Sequence, residues 1–363
     1  MPGPVSVPGP VSGPLAPRLT RRRALRVIAA AAGLPVMIAA VRATAPKGQL
    51  FGWHGEVLGA ASELTVWHTD AAFAQRTILR VRREIDRLER IFSLYRQDSE
   101  ISRLNEAGRL AKPSPELRRL VEESQRLGGL SGGAFDISVQ PLWRLFEAHF
   151  WSRRDVQVDI AARARAIADS LVDFRQIECG AAAIGFLRPG MAITLNSIAQ
   201  GHVTDVIADM LRNEGCESAL VNLGESRALG RHPEGRPWQL GIRSAANRID
   251  RRVELEDMAL AVSGGYGTTF EPTGRFHHIF DPHTGASTNS LVDVSVISSK
   301  ATVADGLATA ICAAGESFAP ALLAAYPGTR AILTRTNGAS VAIEAPAEAA
   351  LSGAKRPGGC LSA

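Results

Sequence analysis

Apolar residues recur along this chain in two rhythms. Ile78, Val81, Ile85, Leu88 and Ile91 are separated by charged residues, and that spacing predicts a long amphipathic helix. Leu117, Leu120, Val121 and Ser124 repeat the pattern across Glu116 to Leu127, and a glycine-rich stretch, Gly128 to Gly133, is expected to break it. Residues 157–170, the segment carrying Val203, Ile207 and Leu211, and Thr302 to Ala314 are further predicted helices. Glu63 to His68 alternates as a half-buried strand does. Met191–Leu195, Leu220–Leu223, Trp238–Ile242, Ala259–Ser263, His277–Phe280 and Leu291–Ile297 are predicted strands, with short ones at 330–334 and 340–344. Helices and strands interleave without a repeating unit, which points to an α+β fold.

The N-terminus follows a different pattern. Six prolines fall within residues 1–19, then come Thr20-Arg21-Arg22-Arg23-Ala24-Leu25-Arg26, an apolar run from Val27 to Val41, and Val41-Arg42-Ala43. Basic region, apolar run and small residues in that order make an export signal, and the paired arginines point to the twin-arginine route. The run is shorter than the roughly 20 residues a spanning helix needs, and Gly33 and Pro35 interrupt it. The chain therefore divides into a twin-arginine signal (1–45), a body (46–345) and a loose Ala/Gly/Pro-rich tail (346–363). Of 363 residues 45% are hydrophobic, enough for a sizeable core. The net charge of +5 comes from six arginines in the first 45 residues. The body is close to neutral, which argues against nucleic-acid binding. Cys179, Cys216, Cys312 and Cys360 have no paired spacing, so neither a zinc site nor a disulfide framework is indicated.

Several segments carry candidate chemistry. Gly129-Leu130-Ser131-Gly132-Gly133 matches the hydrolase pattern G-x-S-x-G, but a helix precedes it where the motif needs a strand. No phosphate-binding G-x-x-x-x-G-K-[ST] loop is present. Asp305 and Thr309, four apart on one predicted helix, share a face, and a carboxylate with a hydroxyl suits a hard cation such as Mg²⁺. Alternatively, Thr302-Val303-Ala304-Asp305 is a capping box that satisfies the helix start. His277-His278-Ile279-Phe280-Asp281-Pro282-His283-Thr284-Gly285 is dense in polar groups. It reads as a turn after an edge strand or as a metal site, although adjacent His side chains on a strand face opposite ways. Gly132 to Asp136 could hold a planar ring against backbone.

Taken in order, these segments resemble the FAD:protein FMN transferases of the ApbE family, from about Leu58 to Gly315. The resemblance is carried by Phe92-Ser93-Leu94-Tyr95, Asp98 to Asn105, Gly133-Ala134-Phe135-Asp136-Ile137-Ser138 and Leu195 to Gly201 with Asp205. It continues through Val221-Asn222-Leu223-Gly224-Glu225, Ser263-Gly264-Gly265-Tyr266, His278-Ile279-Phe280-Asp281-Pro282 and Ala304 to Thr309. It implies an ApbE-like fold with mixed sheets flanked by helices, and Mg²⁺-dependent transfer of FMN from FAD to a Thr or Ser of a partner protein, releasing AMP. By resemblance, Asp305, Thr309 and the Ser197 carbonyl hold the metal. Leu58, Tyr95, Ala134, Phe135, Asp136, Thr194, Gln200 and Phe280 contact the flavin. His278 and Asp281 are candidates for orienting or deprotonating the acceptor hydroxyl.

The chain departs from the family at Thr194, usually Asp; at Gln200, usually Lys or Glu; and at Leu58-Gly59-Ala60, usually Met-Gly-Thr. Leu195 to Gly201 with Gly264 to Thr268 resembles the NosX-like subgroup linked to nitrous oxide reduction, which also carries a twin-arginine signal. That implies a periplasmic enzyme and, as acceptor, a membrane-bound, NosR-like flavoprotein. The competing expectations are a non-catalytic flavin-binding assembly factor and an FAD pyrophosphatase that releases FMN.

Overall fold

A computed structural model describes residues 48–151, 160–243 and 248–346. The signal predicted for 1–45, and the predicted tail after residue 346, lie outside the described residues. A hairpin of β1 (Gln49–Val57) and β2 (Ala60–His68) leads into α1 (Ala71–Phe92), α2 (Glu100–Ala107) and β3 (Arg109–Ala111). Next come α3 (Pro115–Leu130), α4 (Gln140–Trp151), α5 (Ile160–Leu171), β4 (Ile177–Cys179), β5 (Ala183–Phe186) and α6 (Ala199–Asn213). Then follow β6 (Ala219–Asn222), β7 (Ser226–Leu229), β8 (Trp238–Arg243), β9 (Ile249–Leu255), β10 (Ala259–Gly264) and β11 (Leu291–Ser298). The described chain closes with α7 (Ala301–Ala314), α8 (Ala319–Ala324), β12 (Arg330–Arg335) and β13 (Ser340–Glu344). Among the described residues no helix is long and apolar enough to cross a membrane.

Eight strands form the main sheet in the order β1-β2-β6-β7-β10-β11-β12-β13, beside a three-stranded sheet β3-β5-β4 and the separate hairpin β8-β9. The pairings are antiparallel. With helices against the sheet, this is the α+β architecture that the pattern predicts. One face of the sheet carries α6 and α7; on the other, Trp238, Leu240, Val253 and Leu255 of the β8-β9 hairpin close a smaller core over Ala228, Leu260 and Ile297. A third cluster joins α4 and α5 to Phe270 and Phe280.

The helices form where apolar period and caps agree. Along α1, Ala74, Thr77, Val81, Ile85, Leu88 and Ile91 are buried at helical spacing, and the Asp70 carboxylate accepts the N–H groups of Ala72 and Phe73. Ser99 and Ser114 cap α2 and α3 in the same way. Helix α7 is buried on nearly every side, with Ala304, Leu307, Ala308 and Ile311 inaccessible, because it is wedged between the sheet and α6.

Three local expectations change. Helix α3 runs through Gly128 to Leu130, since Gly128 lets the Phe174 ring lie against the helix, where a Cβ would sit 3.0 Å from the ring. Met191–Leu195 is buried but forms no strand. The Asn105 carboxamide takes both the N–H and the C=O of Ile193, at 2.7 and 2.8 Å, and the Thr194 N–H goes to the Ile137 carbonyl. His277–Phe280 makes only isolated bridges, to Thr269 and Ser287.

Candidate functional site

Strand register brings several turns to one end of the main sheet. Glu63 pairs with Asn222, and Leu260 with Ser226. The β1-β2 turn at Leu58-Gly59, the β6-β7 turn at Leu223 to Glu225 and the C-terminal end of β10 therefore converge. The start of α6 and the first turns of α7 face this end from the helix layer.

Two helices lock each other here. The Asp305 Oδ2 accepts the Gly201 N–H at 2.9 Å, in the first turn of α6. In return Asp205 of α6 caps α7: its oxygens accept the N–H groups of Ala301 and Thr302 at 2.9 Å and the Thr302 hydroxyl at 2.7 Å. The capping-box alternative for Asp305 is thereby overturned, because the cap of α7 comes from a residue almost a hundred positions earlier. Gly201 is obligatory at this crossing, since a Cβ there would lie 2.4 Å from the Ala301 oxygen and 2.8 Å from the Asp305 Cβ. Arg227 Nη1 holds Asp205 Oδ1 at 2.7 Å and Asp209 Oδ1 at 2.9 Å.

Asp305 is 3% exposed. Burial pushes its carboxyl up to about 7; the Gly201 N–H opposes this, and the charge on Asp205 adds to it. Glu225 is held well above the usual carboxylate range, first by burial and then by the Asp305 charge. One helical turn from Asp305, the Thr309 hydroxyl meets Ser263 Oγ of β10 at 3.0 Å. Ser197 lies just before α6, whose first residue Ala199 donates to the Leu195 carbonyl. Among the described residues no three His, Cys, Asp or Glu side chains converge. A cation here would meet the Asp305 carboxylate and the Thr309 and Ser263 hydroxyls, hard oxygen donors of the kind that suit Mg²⁺.

A second group gathers around the β1-β2 turn. Leu58 has a positive φ of 50° and is buried, and its N–H donates to Glu89 Oε1 at 3.1 Å. Tyr95 is 68% exposed, and its ring lies over Gly59, where a Cβ would be 2.8 Å from a ring carbon. Gln200 presses its carboxamide against Gly224, which has a φ of 99°. This contact joins α6 to the β6-β7 turn. Thr194 Oγ1 accepts the Asn196 N–H in the segment leading to Ser197.

The structure places the remaining candidates differently. Phe135 is buried in the main core, and its N–H donates to Ser131 Oγ; Ala134, beside it, has its N–H on the Ser131 carbonyl. Phe280 is buried in the aromatic cluster against Phe146. Asp136 accepts Ser138 N–H and O–H on one oxygen and Phe174 N–H on the other, and burial pushes its carboxyl up to about 6. Ser131 is buried, donating to the Gly128 carbonyl while accepting from Phe135. Its hydroxyl supports a turn, so the hydrolase pattern is structural.

His277 and His278 have different partners. His277 is buried, with Nε2 at 2.5 Å from the Thr288 carbonyl. His278 rests its Nδ1 at 3.1 Å from the Thr268 carbonyl, and burial, with His277 adding, pushes its pKa down to about 4. Burial therefore favours the neutral imidazole over the imidazolium. Asp281 accepts His283 N–H at 2.9 Å and Thr284 O–H at 2.7 Å within its own turn. Among the described residues no hydrogen bond joins it to His278. A cavity of about 460 Å³ opens between the hairpin β8-β9 and the sheet, lined by Ser62, Asn222, Glu225, Arg243, Val262 and Tyr266. Sequence reasoning quoted Asp205, Glu225 and Ser263 within motifs but gave them no role; their partners come from distant segments.

Comparison with known proteins adds to this geometry. The ApbE family model matches residues 58–333. An FAD:protein FMN transferase of Vibrio cholerae is 36% identical over 248 residues, 64% of this chain and 73% of that protein. One of Haemophilus influenzae is 31% identical over 239 residues, 62% of this chain and 69% of that protein. Among solved structures, the flavin transferase ApbE from Vibrio cholerae superposes with a TM-score of 0.69 at 26% identity, over 82% of this chain and 97% of that one. The apo flavinyl transferase ApbE of Pseudomonas stutzeri gives a TM-score of 0.69 at 27% identity, over 85% of this chain and 98% of that one.

Proposed function

The chain belongs to the ApbE family, and from that premise we propose that it transfers the FMN part of FAD, with Mg²⁺, to a Thr or Ser hydroxyl of an acceptor protein and releases AMP. It is an enzyme of the FAD:protein FMN transferase type, like the relatives that carry this name. The observation that carries the reading is the oxygen-lined end of the sheet, where Asp305 of α7 meets the start of α6 and Thr309 meets Ser263 of β10. When bound there, the cation would neutralise charge on the pyrophosphate.

The chain's own residues supply the rest. The exposed Tyr95 ring and the Leu58-Gly59 turn form a platform for the flavin. The attacking hydroxyl forms a new P–O bond to the FMN phosphorus as the P–O bond to AMP breaks. Neutral His278 takes the hydroxyl proton. The cavity beside Glu225 offers room for the adenosine half. Export to the periplasm belongs to the same proposal, supported by the Arg21 to Arg23 cluster and the Val27–Val41 run. Support for a NosR-like, membrane-bound acceptor and a nitrous oxide reduction context comes from the Leu195 to Gly201 and Gly264 to Thr268 motifs.

The deciding experiment incubates the purified protein with FAD, Mg²⁺ and an acceptor domain and weighs the acceptor. A gain of FMN minus water supports transfer. Free FMN alone would indicate a pyrophosphatase, and FAD binding without product an assembly factor. His278→Ala should lower transfer at saturating FAD by about 100-fold; normal transfer would remove the base from the scheme. Because the folded pKa of His278 lies below its unfolded value of 6.5, the unfolded chain takes up the proton first. Stability should fall as pH drops from about 6.5 towards 4, and less so in the variant, which acid melts would reveal. Tyr95→Ala should raise KM for FAD roughly tenfold; an unaltered KM would refute the platform.

A further inference from the structure

A neutral imidazole carries one proton, and its partners decide which nitrogen holds it. A backbone carbonyl can only accept. His278 sets Nδ1 3.1 Å from the Thr268 carbonyl, so Nδ1 carries the proton and Nε2 keeps the lone pair. The same carbonyl accepts the His278 backbone N–H at 3.1 Å, which fixes the residue at both ends. His277 is the reverse: its Nε2 donates to the Thr288 carbonyl, and its Nδ1 accepts the Ile279 N–H at 3.3 Å. Both nitrogens of His277 are therefore used, whereas among the described residues no hydrogen bond reaches Nε2 of the half-buried His278. The His278 ring stands edge-on to Trp143 and to His277, each with ring centroids 6.4 Å apart. Its Cε1 and Nε2 face Gly267, the last residue of the turn Gly265–Gly267 after β10. The backbone of Gly267 is outside the left-handed region, so the turn itself does not require glycine there. What glycine supplies is room: a Cβ would lie 3.4 Å from Cε1 and 4.0 Å from Nε2, filling the space beside the free nitrogen.

We propose that Gly267 is a positioning residue for the transfer: the space it leaves beside His278 seats the hydroxyl-bearing side chain of the acceptor, with its O–H on Nε2. The inference rests on the reading of His278 as the base. In the step, the hydroxyl oxygen forms its bond to the FMN phosphorus, its proton passes to Nε2, and the electron pair of the broken P–O bond leaves with AMP. A methyl group at position 267 would crowd a threonine, which carries its own methyl on the hydroxyl-bearing carbon, more than a serine.

The test has a spectroscopic and a kinetic arm, both on the full chain. Long-range proton–nitrogen NMR spectra of histidine-labelled protein, taken above neutral pH, report which ring nitrogen is protonated, with His277→Gln and His278→Gln assigning the signals. His278 should carry its proton on Nδ1 and His277 on Nε2; a proton on Nε2 of His278 would overturn the inference. Gly267→Ala should melt like wild type, because the added methyl makes ordinary contacts, and it should keep both tautomers and the KM for FAD. Its kcat with a Thr acceptor should fall at least about tenfold, and with the same acceptor carrying Ser clearly less. Equal losses on Thr and Ser would reduce Gly267 to a structural role, and an unchanged kcat or a failure to fold would contradict the space assigned to it. A slow His278→Ala beside an unimpaired Gly267→Ala defeats this inference and leaves the base reading standing. Normal transfer by His278→Ala removes the base reading and this inference with it.

Discussion

Asp305→Asn should reduce FMN transfer by on the order of 100-fold or more while leaving the fold intact. The expectation follows from how the two carboxylate oxygens are used. Oδ2 accepts the Gly201 N–H at 2.9 Å, and an Asn oxygen can take over that bond. What disappears is the negative charge. In the metal-free protein that loss is a gain, because Asp305 is buried and near both Asp205 and Glu225. The Tm without Mg²⁺ should therefore hold or rise, while Mg²⁺ should raise it less than in wild type. Activity and stability are thus expected to move in opposite directions, as when a site keeps a strained charge for function. Transfer assays over a Mg²⁺ range, paired with melts, check both halves. Turnover equal to wild type at low Mg²⁺ would sink the ligand role.

Much of this fold is legible in the sequence because burial and period coincide. The stripe Val81, Ile85, Leu88 and Ile91 is read as one helix face, and all four are buried. Strands are harder. β1 is an edge strand whose residues are mostly exposed and which contains Gly52 and Gly55, so it has little apolar alternation to reveal it. Met191–Leu195 shows the reverse error. Its apolar run is buried, but the partner of Ile193 is the Asn105 side chain, which no local pattern announces.

The site divides along the same line. The i, i+4 placement of Asp305 and Thr309 depends only on helix geometry and is read directly. Whether Asp305 caps its own helix or turns to a neighbour depends on Asp205 taking the cap. His278 is distinguished from His277 only once Thr288 is seen to occupy the latter. Tertiary partners, not residue types, decide these roles.

Arg227→Met should be the most destabilising single change at this end of the sheet. Arg227 is 2% exposed and binds Asp205 and Asp209 through one nitrogen, while among the described residues its Nε finds no partner. The guanidinium is therefore held for its charge rather than for a full set of hydrogen bonds. Methionine fills similar volume but leaves the buried Asp205 carboxylate without its guanidinium partner. Breaking a buried pair from one side costs about 3–5 kcal/mol. Asp205 keeps three hydrogen bonds from the start of α7 and the favourable end of that helix's dipole, so the lower end of the range applies. A fall in Tm of roughly 6–12 °C would follow. The loss should also reach the chemistry, because Asp205 fixes where α7 begins and hence where Asp305 and Thr309 stand. Mn²⁺ affinity should drop even at temperatures where the variant is fully folded. Denaturant melts and metal titration of Arg227→Met check the two effects separately. A variant as stable as wild type would mean that the cap on α7 holds without its clamp.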